Sequence, residues 1–182
     1  MILDASSVLE QVIAVAKPWA EVFADNPVLS TGVIAGHILS MFVAGGMAIG
    51  ADRTILRSKP GTADAVRAVV ADLSTTHSVV IGGLASTALT GLALLASDVG
   101  TFAVSRVFWI KMTVIALLLL NGLRMQRAEQ QVLGSLKGVP IRTTEMAVPF
   151  PKKEWSGIRR AAGTSLVAWL VIVVLGVVLT NG

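Results

Sequence analysis

Apolar residues run almost unbroken through four stretches of the chain, Val28–Gly50, Ser78–Ser97, Phe102–Leu123 and Gly157–Leu179. Each reaches the ~20 residues that a helix needs to cross a hydrocarbon core of ~30 Å. With their polar extensions they predict helices over 28–57, 62–97, 102–125 and 156–180. Ser58-Lys-Pro-Gly-Thr62 forms the first turn and Thr62 is the N-cap of the second helix. Ahead of them, Val8, Val12, Val15, Trp19 and Val22 recur at helical spacing among Glu10, Glu21 and Asp25, with Pro18 as a break or restart. Residues 1–27 therefore read as an amphipathic segment on the outer membrane face. A short helix packed on the bundle, or on a partner subunit, is an equal alternative. The longest polar stretch, 126–155, contains Gly134, Gly138, Pro140, Pro149 and Pro151, which argue against one continuous helix. The expected fold is all-α and integral to the membrane: a four-transmembrane-helix bundle over 28–182 with an N-terminal amphipathic segment.

Composition supports that class and narrows the chemistry. Hydrophobic residues make up 54% of the 182, charged residues only 14%, and mean hydropathy is +0.76. Soluble domains carry about a quarter charged residues. The length leaves room for one bundle and no separate soluble domain. The lack of cysteine excludes disulfides, thiolate zinc sites, iron–sulfur clusters and covalently attached haem.

The distribution of positive charge gives orientation. Arg53, Arg57, Lys59 and Arg67 flank the first connection. The third carries Arg124, Arg127, Lys137, Arg142, Lys152, Lys153, Arg159 and Arg160. Between them lies only Asp98–Thr101, with Arg106 just inside the third helix. The positive-inside rule puts both basic connections, including the 124–156 loop, in the cytoplasm and both termini outside. The net charge of +4 belongs to these loops, so nucleic acid is not an expected partner.

His37 and His77 are the chain's two histidines, one inside the first apolar stretch and one opening the second. An ionisable side chain at membrane depth is costly to bury and marks a functional site by default, and imidazole is a common axial ligand of haem iron. With the hairpin centred near Pro60, the residue facing His37 would be roughly Gly83, leaving His77 offset by about six residues, or ~9 Å. Helix axes 8–10 Å apart then put the two Cα atoms roughly 12–13 Å from each other, the span of two imidazoles on one iron. The spacing permits a bis-histidine haem b but no compact zinc site. Gly83, Thr87 and Gly91 at i, i+4, i+8 would admit a flat macrocycle, although close helix packing explains them better. Lys111, about nine residues into the third helix, shares the depth of His37 and would meet a haem propionate, a quinone carbonyl or a lipid phosphate, the alternative being that it snorkels to the outer interface. Arg106 is an interface anchor or a second propionate partner.

Other residues add less. Met112 is a substitute iron ligand, while Met41, on the same helix as His37, cannot reach the opposite face. The tryptophans fall mostly near the inferred interfaces, and Asn121 reads as an interhelical hydrogen bond. The only acid near His77 in the sequence is Asp72, and no nucleophile–base arrangement or phosphate loop is present.

Three segments carry a resemblance. His37-Ile-Leu-Ser-Met-Phe-Val-Ala-Gly-Gly46, followed by Asp52-Arg53-Thr-Ile-Leu-Arg57, is similar to the helix-1 histidine, small residues and charged exit of small bacterial four-helix membrane proteins around the copper-resistance protein D superfamily. Phe108-Trp-Ile-Lys111-Met and Leu120-Asn-Gly-Leu-Arg124 resemble their lysine-bearing helix and basic exit. The likeness covers helices 1–3, about half the chain. It implies a bacterial cytoplasmic membrane, an architecture like the membrane b-type cytochromes, and haem or redox association. The expected function is electron transfer by one haem held by His37 and His77, exchanging with quinone or a partner subunit. The alternative is a non-redox accessory subunit of a larger membrane complex or homo-oligomer. A small transporter or copper-uptake component ranks third, because the absence of Pro-broken helices and of an acidic residue within the four apolar spans counts against proton-coupled transport.

Overall fold

The computed structural model describes residues 5–58, 63–135 and 152–181, and their regular structure is helical throughout. The helices are α1 (Ala5–Asp25), α2 (Pro27–Arg57), α3 (Ala63–Ser97), α4 (Val99–Val104), α5 (Arg106–Ser135) and α6 (Lys152–Asn181). The expected cap at Thr62 and most of the first turn lie outside the described residues, as does the centre of the third connection.

α1 runs through Pro18 without a break. Proline forfeits one backbone bond and crowds the carbonyl four residues back, but Ala14 and Pro18 are both exposed, so water can satisfy that carbonyl. The segment packs on the bundle. Trp19 Nε1 donates to the Ala93 carbonyl at 2.8 Å, and α1 lies against α3, α2 and α4. Asn26 then caps α2, its side chain accepting from Leu29 N–H at 3.0 Å, with Pro27 at the first helical position.

The third long helix begins later than its apolar run. Asp98 caps the short α4 by accepting from Thr101 N–H at 3.1 Å. Ser105, in extended conformation, interrupts the run, and its hydroxyl accepts from Phe108 N–H at 3.3 Å. Arg106 is therefore the exposed first residue of α5, and Lys111 lies five residues in, not nine. At its other end α5 continues ten residues beyond the expected stop at 125. The reason is a seam. Leu118, Asn121, Met125, Glu129 and Val132 are buried at three- and four-residue spacings. Facing them, α6 buries Trp155, Ile158, Ala162, Ser165, Trp169 and Ile172 in the same rhythm, as coiled-coil packing requires. Trp155 and Trp169 are thus core residues, not interface anchors.

α2 packs along α3, α6 along α5, and α2 against α6, so α2 and α6 are central while α3 and α5 flank them. We call the end carrying the two basic connections the basic end. Most of the buried core lies there, including Ile55, Val66, Leu73, Met125, Val132 and Ile158. There Arg159 Nη2 also donates to the Leu56 carbonyl at 3.2 Å, tying α6 to the last turn of α2. α2, α3, α5 and α6 are each long and apolar enough to cross a membrane. Little of their apolar windows is buried within the chain, so Phe42, Leu89, Leu117 and Val174 point outwards. That is the inverse of a soluble bundle and the arrangement a lipid solvent favours.

Candidate functional site

Three contacts set the register of the α2–α3 hairpin. His37 Nδ1 lies 3.0 Å from Thr90 Oγ1, Ser40 Oγ lies 2.7 Å from Ser86 Oγ, and a Cβ placed on Gly83 would lie 2.9 Å from Ala44 Cβ. Thr90 Oγ1 is also 2.7 Å from the Ser86 carbonyl, to which it donates. It therefore accepts from the imidazole N–H. Gly91 supplies the room for the ring, since a Cβ there would be 3.2 Å from His37 Cε1.

This register separates the histidines. His37 stands opposite Thr90, not Gly83, and His77 lies thirteen residues from Thr90 along α3, about 20 Å of helix rise. Two imidazoles so far apart cannot ligate one iron. The hairpin does not turn symmetrically about Pro60, because α3 starts beyond the level at which α2 ends. A bis-histidine haem on His37 and His77 does not fit these residues. Protein purified from haem-replete cells should accordingly show no Soret band that both His37→Ala and His77→Ala abolish. Loss of such a band in each variant would restore the shared haem.

Lys111 and Arg106 also part company. A Cβ on Gly176 would be 3.8 Å from Lys111 Nζ, so the ammonium rests against α6. The Gly45–Trp169 contact, 3.1 Å from a Cβ on Gly45, registers α2 with α6 and puts Gly176 about level with Ile38. Lys111 thus sits at the depth of His37, but the imidazole faces α3 while the ammonium faces α6. Arg106, exposed at the start of α5, joins neither. Met112 is also exposed.

The polar groups that do converge lie towards the basic end. Because α3 and α5 flank the bundle without packing closely, a cleft of about 450 Å³ opens between them, with α2 and α6 as its floor. Asp52, His77, Asn121, Ser165 and Trp169 line it among aliphatic side chains. His77 Nδ1 reaches across to Glu129 Oε2 at 3.6 Å. The acid beside His77 is therefore Glu129, on a different helix, and not the exposed Asp72. Asn121 Nδ2 donates to the Ala161 carbonyl at 2.8 Å, the expected interhelical bond. Asp52 is 2% exposed and Glu129 7%. Asp52 shares a side-chain hydrogen bond with Ser165, yet Asp52 Oδ2 and Glu129 Oε1 have no hydrogen-bond partner among the described residues. A buried polar atom without a partner forfeits about 1–3 kcal/mol, and more when charged.

Asp52 and Glu129 are the residues that reading the sequence passed over, since both follow an apolar span and sit among arginines. Helical periodicity carries the missing signal. Ala44, Ala48, Asp52 and Ile55 fall on one face of α2, and Glu129 falls in the buried rhythm of α5. A carboxylate in phase with a core stripe is buried whatever charges adjoin it. Among the described residues no three metal-ligating side chains gather at one point. Comparison of the chain with protein-family models, with curated proteins and with solved structures returned no match.

Proposed function

We propose that this chain is a four-span protein of a bacterial cytoplasmic membrane that binds a small solute in the cleft between α3 and α5, in the manner of a carrier. The basic end faces the cytoplasm and the termini lie outside, as the arginine distribution requires. One observation carries the reading: Asp52 is almost wholly buried, lines the cleft, and keeps one carboxylate oxygen without a hydrogen-bond partner among the described residues. Ionisable groups held at membrane depth are expensive and mark solute and ion pathways. Asp52 lies just beyond the first apolar span, at its mouth, and is nonetheless buried. A cleft of this volume, with apolar walls and a few polar groups, falls within the range of small-molecule sites.

A second reading rests on the open α3–α5 seam: a helix of a partner subunit seated there would make the chain an accessory component. The lack of native cysteine separates the two. In the full-length protein reconstituted in vesicles, Ile81→Cys and Leu119→Cys stand on opposite walls of the cleft. Leu170→Cys is exposed at similar depth outside it. A solute cleft predicts that the first two react with a water-soluble thiol reagent at least tenfold faster than the third. Equal, slow reaction at all three positions would sink the solute reading and favour a lipid- or partner-filled seam.

A further inference from the structure

We infer that the cleft takes an organic monocation with an apolar body, its positive charge set against Asp52 and Trp169. This rests on the solute reading above and specifies its ligand. The walls exclude the other classes. A bare metal ion needs several oxygen or nitrogen ligands converging on a point, and the described residues offer no such group. An anion needs a cationic or N–H-rich wall, and among the described residues no Lys or Arg lines this cleft. The imidazole of His77, the basic side chain that does line it, is faced by Glu129. A strongly polar neutral solute would leave its hydrogen bonds unmet, because Val80, Leu84, Leu118 and their neighbours dominate the lining.

What remains positive is specific. Asp52 Oδ2 lies unpaired on the floor, with Ser165 holding the carboxyl group from α6. Trp169 follows Ser165 one turn along that helix and lines the same floor, with its indole packed against Gly45, where any side chain would crowd it. Both residues line the same cleft, where a carboxylate oxygen and an indole attract a cation by charge and by the ring quadrupole. The aliphatic walls take up the cation's apolar part, as lipid does, so an amine or quaternary onium carrying hydrocarbon groups suits them better than a hydrated one.

The test uses full-length Ile81→Cys protein in vesicles, following protection of the thiol from a water-soluble reagent. The probes are tetraphenylphosphonium, the anion tetraphenylborate of the same shape, and neutral triphenylphosphine oxide. Tetraphenylphosphonium should protect saturably, the other two should not, and adding Asp52→Asn should weaken protection at least tenfold while the thiol stays reactive. That retained reactivity shows the cleft intact in the variant. Protection by the anion or the neutral probe to the same extent, protection unaffected by Asp52→Asn, or a reactive thiol that tetraphenylphosphonium never protects would overturn the cation assignment and leave the solute cleft standing. A thiol that does not react at all overturns the cleft itself, and this inference with it.

Discussion

Gly83→Leu will unlock the α2–α3 hairpin, whereas Gly82→Leu one residue away will leave it closed. A Cβ on Gly83 would meet Ala44 Cβ at 2.9 Å and the Ala44 Cα and backbone nitrogen at 3.3 Å. Two of those three atoms belong to the main chain of α2, so the clash cannot be relieved by turning a side chain and the helices must part. At Gly82 nothing lies within 4 Å, and the position is exposed. Overpacking costs about 1–3 kcal/mol where neighbours can adjust, and an extra leucine against backbone should reach the upper end. Parting the helices also removes the His37–Thr90 and Ser40–Ser86 contacts. Thermal unfolding of the purified protein in detergent should therefore show a marked fall in midpoint for Gly83→Leu and almost none for Gly82→Leu. Equal midpoints would mean that this contact does not set the hairpin register.

The second large effect concerns the bridge across the cleft. His77→Leu removes the one ion-pair partner that the described residues give Glu129, at 3.6 Å, and leaves a carboxyl group that is 7% exposed without it. Leaving a buried acceptor unsatisfied costs on the order of 2 kcal/mol. Replacing both members of such a pair by apolar groups is often neutral. The double variant His77→Leu/Glu129→Leu should therefore recover most of the stability that His77→Leu loses. The same cycle tests geometry. The Nδ1–Oε2 separation of 3.6 Å spans α3 and α5, two helices that touch little elsewhere, so His77→Leu should also speed the reaction of Leu119→Cys with a thiol reagent. Additive losses in the two single variants would show that the residues act independently.

The part of the fold legible in the sequence is the part that depends on one segment at a time. Apolar length marks helices α2, α3, α5 and α6, since a stretch of ~20 apolar residues leaves water whichever neighbour it meets. The capping chemistry of Asn26 and Asp98 is equally local. The C-terminal ten residues of α5 were hidden because composition there is polar and Gly134 reads as a stop. They are helical because Glu129 and Val132 continue a seam that α6 completes. The site was less legible than the fold. The histidines drew attention by rarity, yet Asp52 and Glu129, flanked by arginines, are the deeper-buried charges.

The sequence by itself determined a helical chain with four segments suited to a bilayer, a basic end, and no cysteine chemistry. Only the tertiary structure decided which polar residues meet. Helix register follows from where two backbones can approach most closely, at Gly83 against Ala44 and at Gly45 against Trp169, and such pairwise fit is not encoded in either strand of sequence alone. A shift of seven residues in that register moves a side chain by about 10 Å. It carried His37 and His77 apart, while the placing of α3 and α5 on either side of the cleft brought His77 to Glu129.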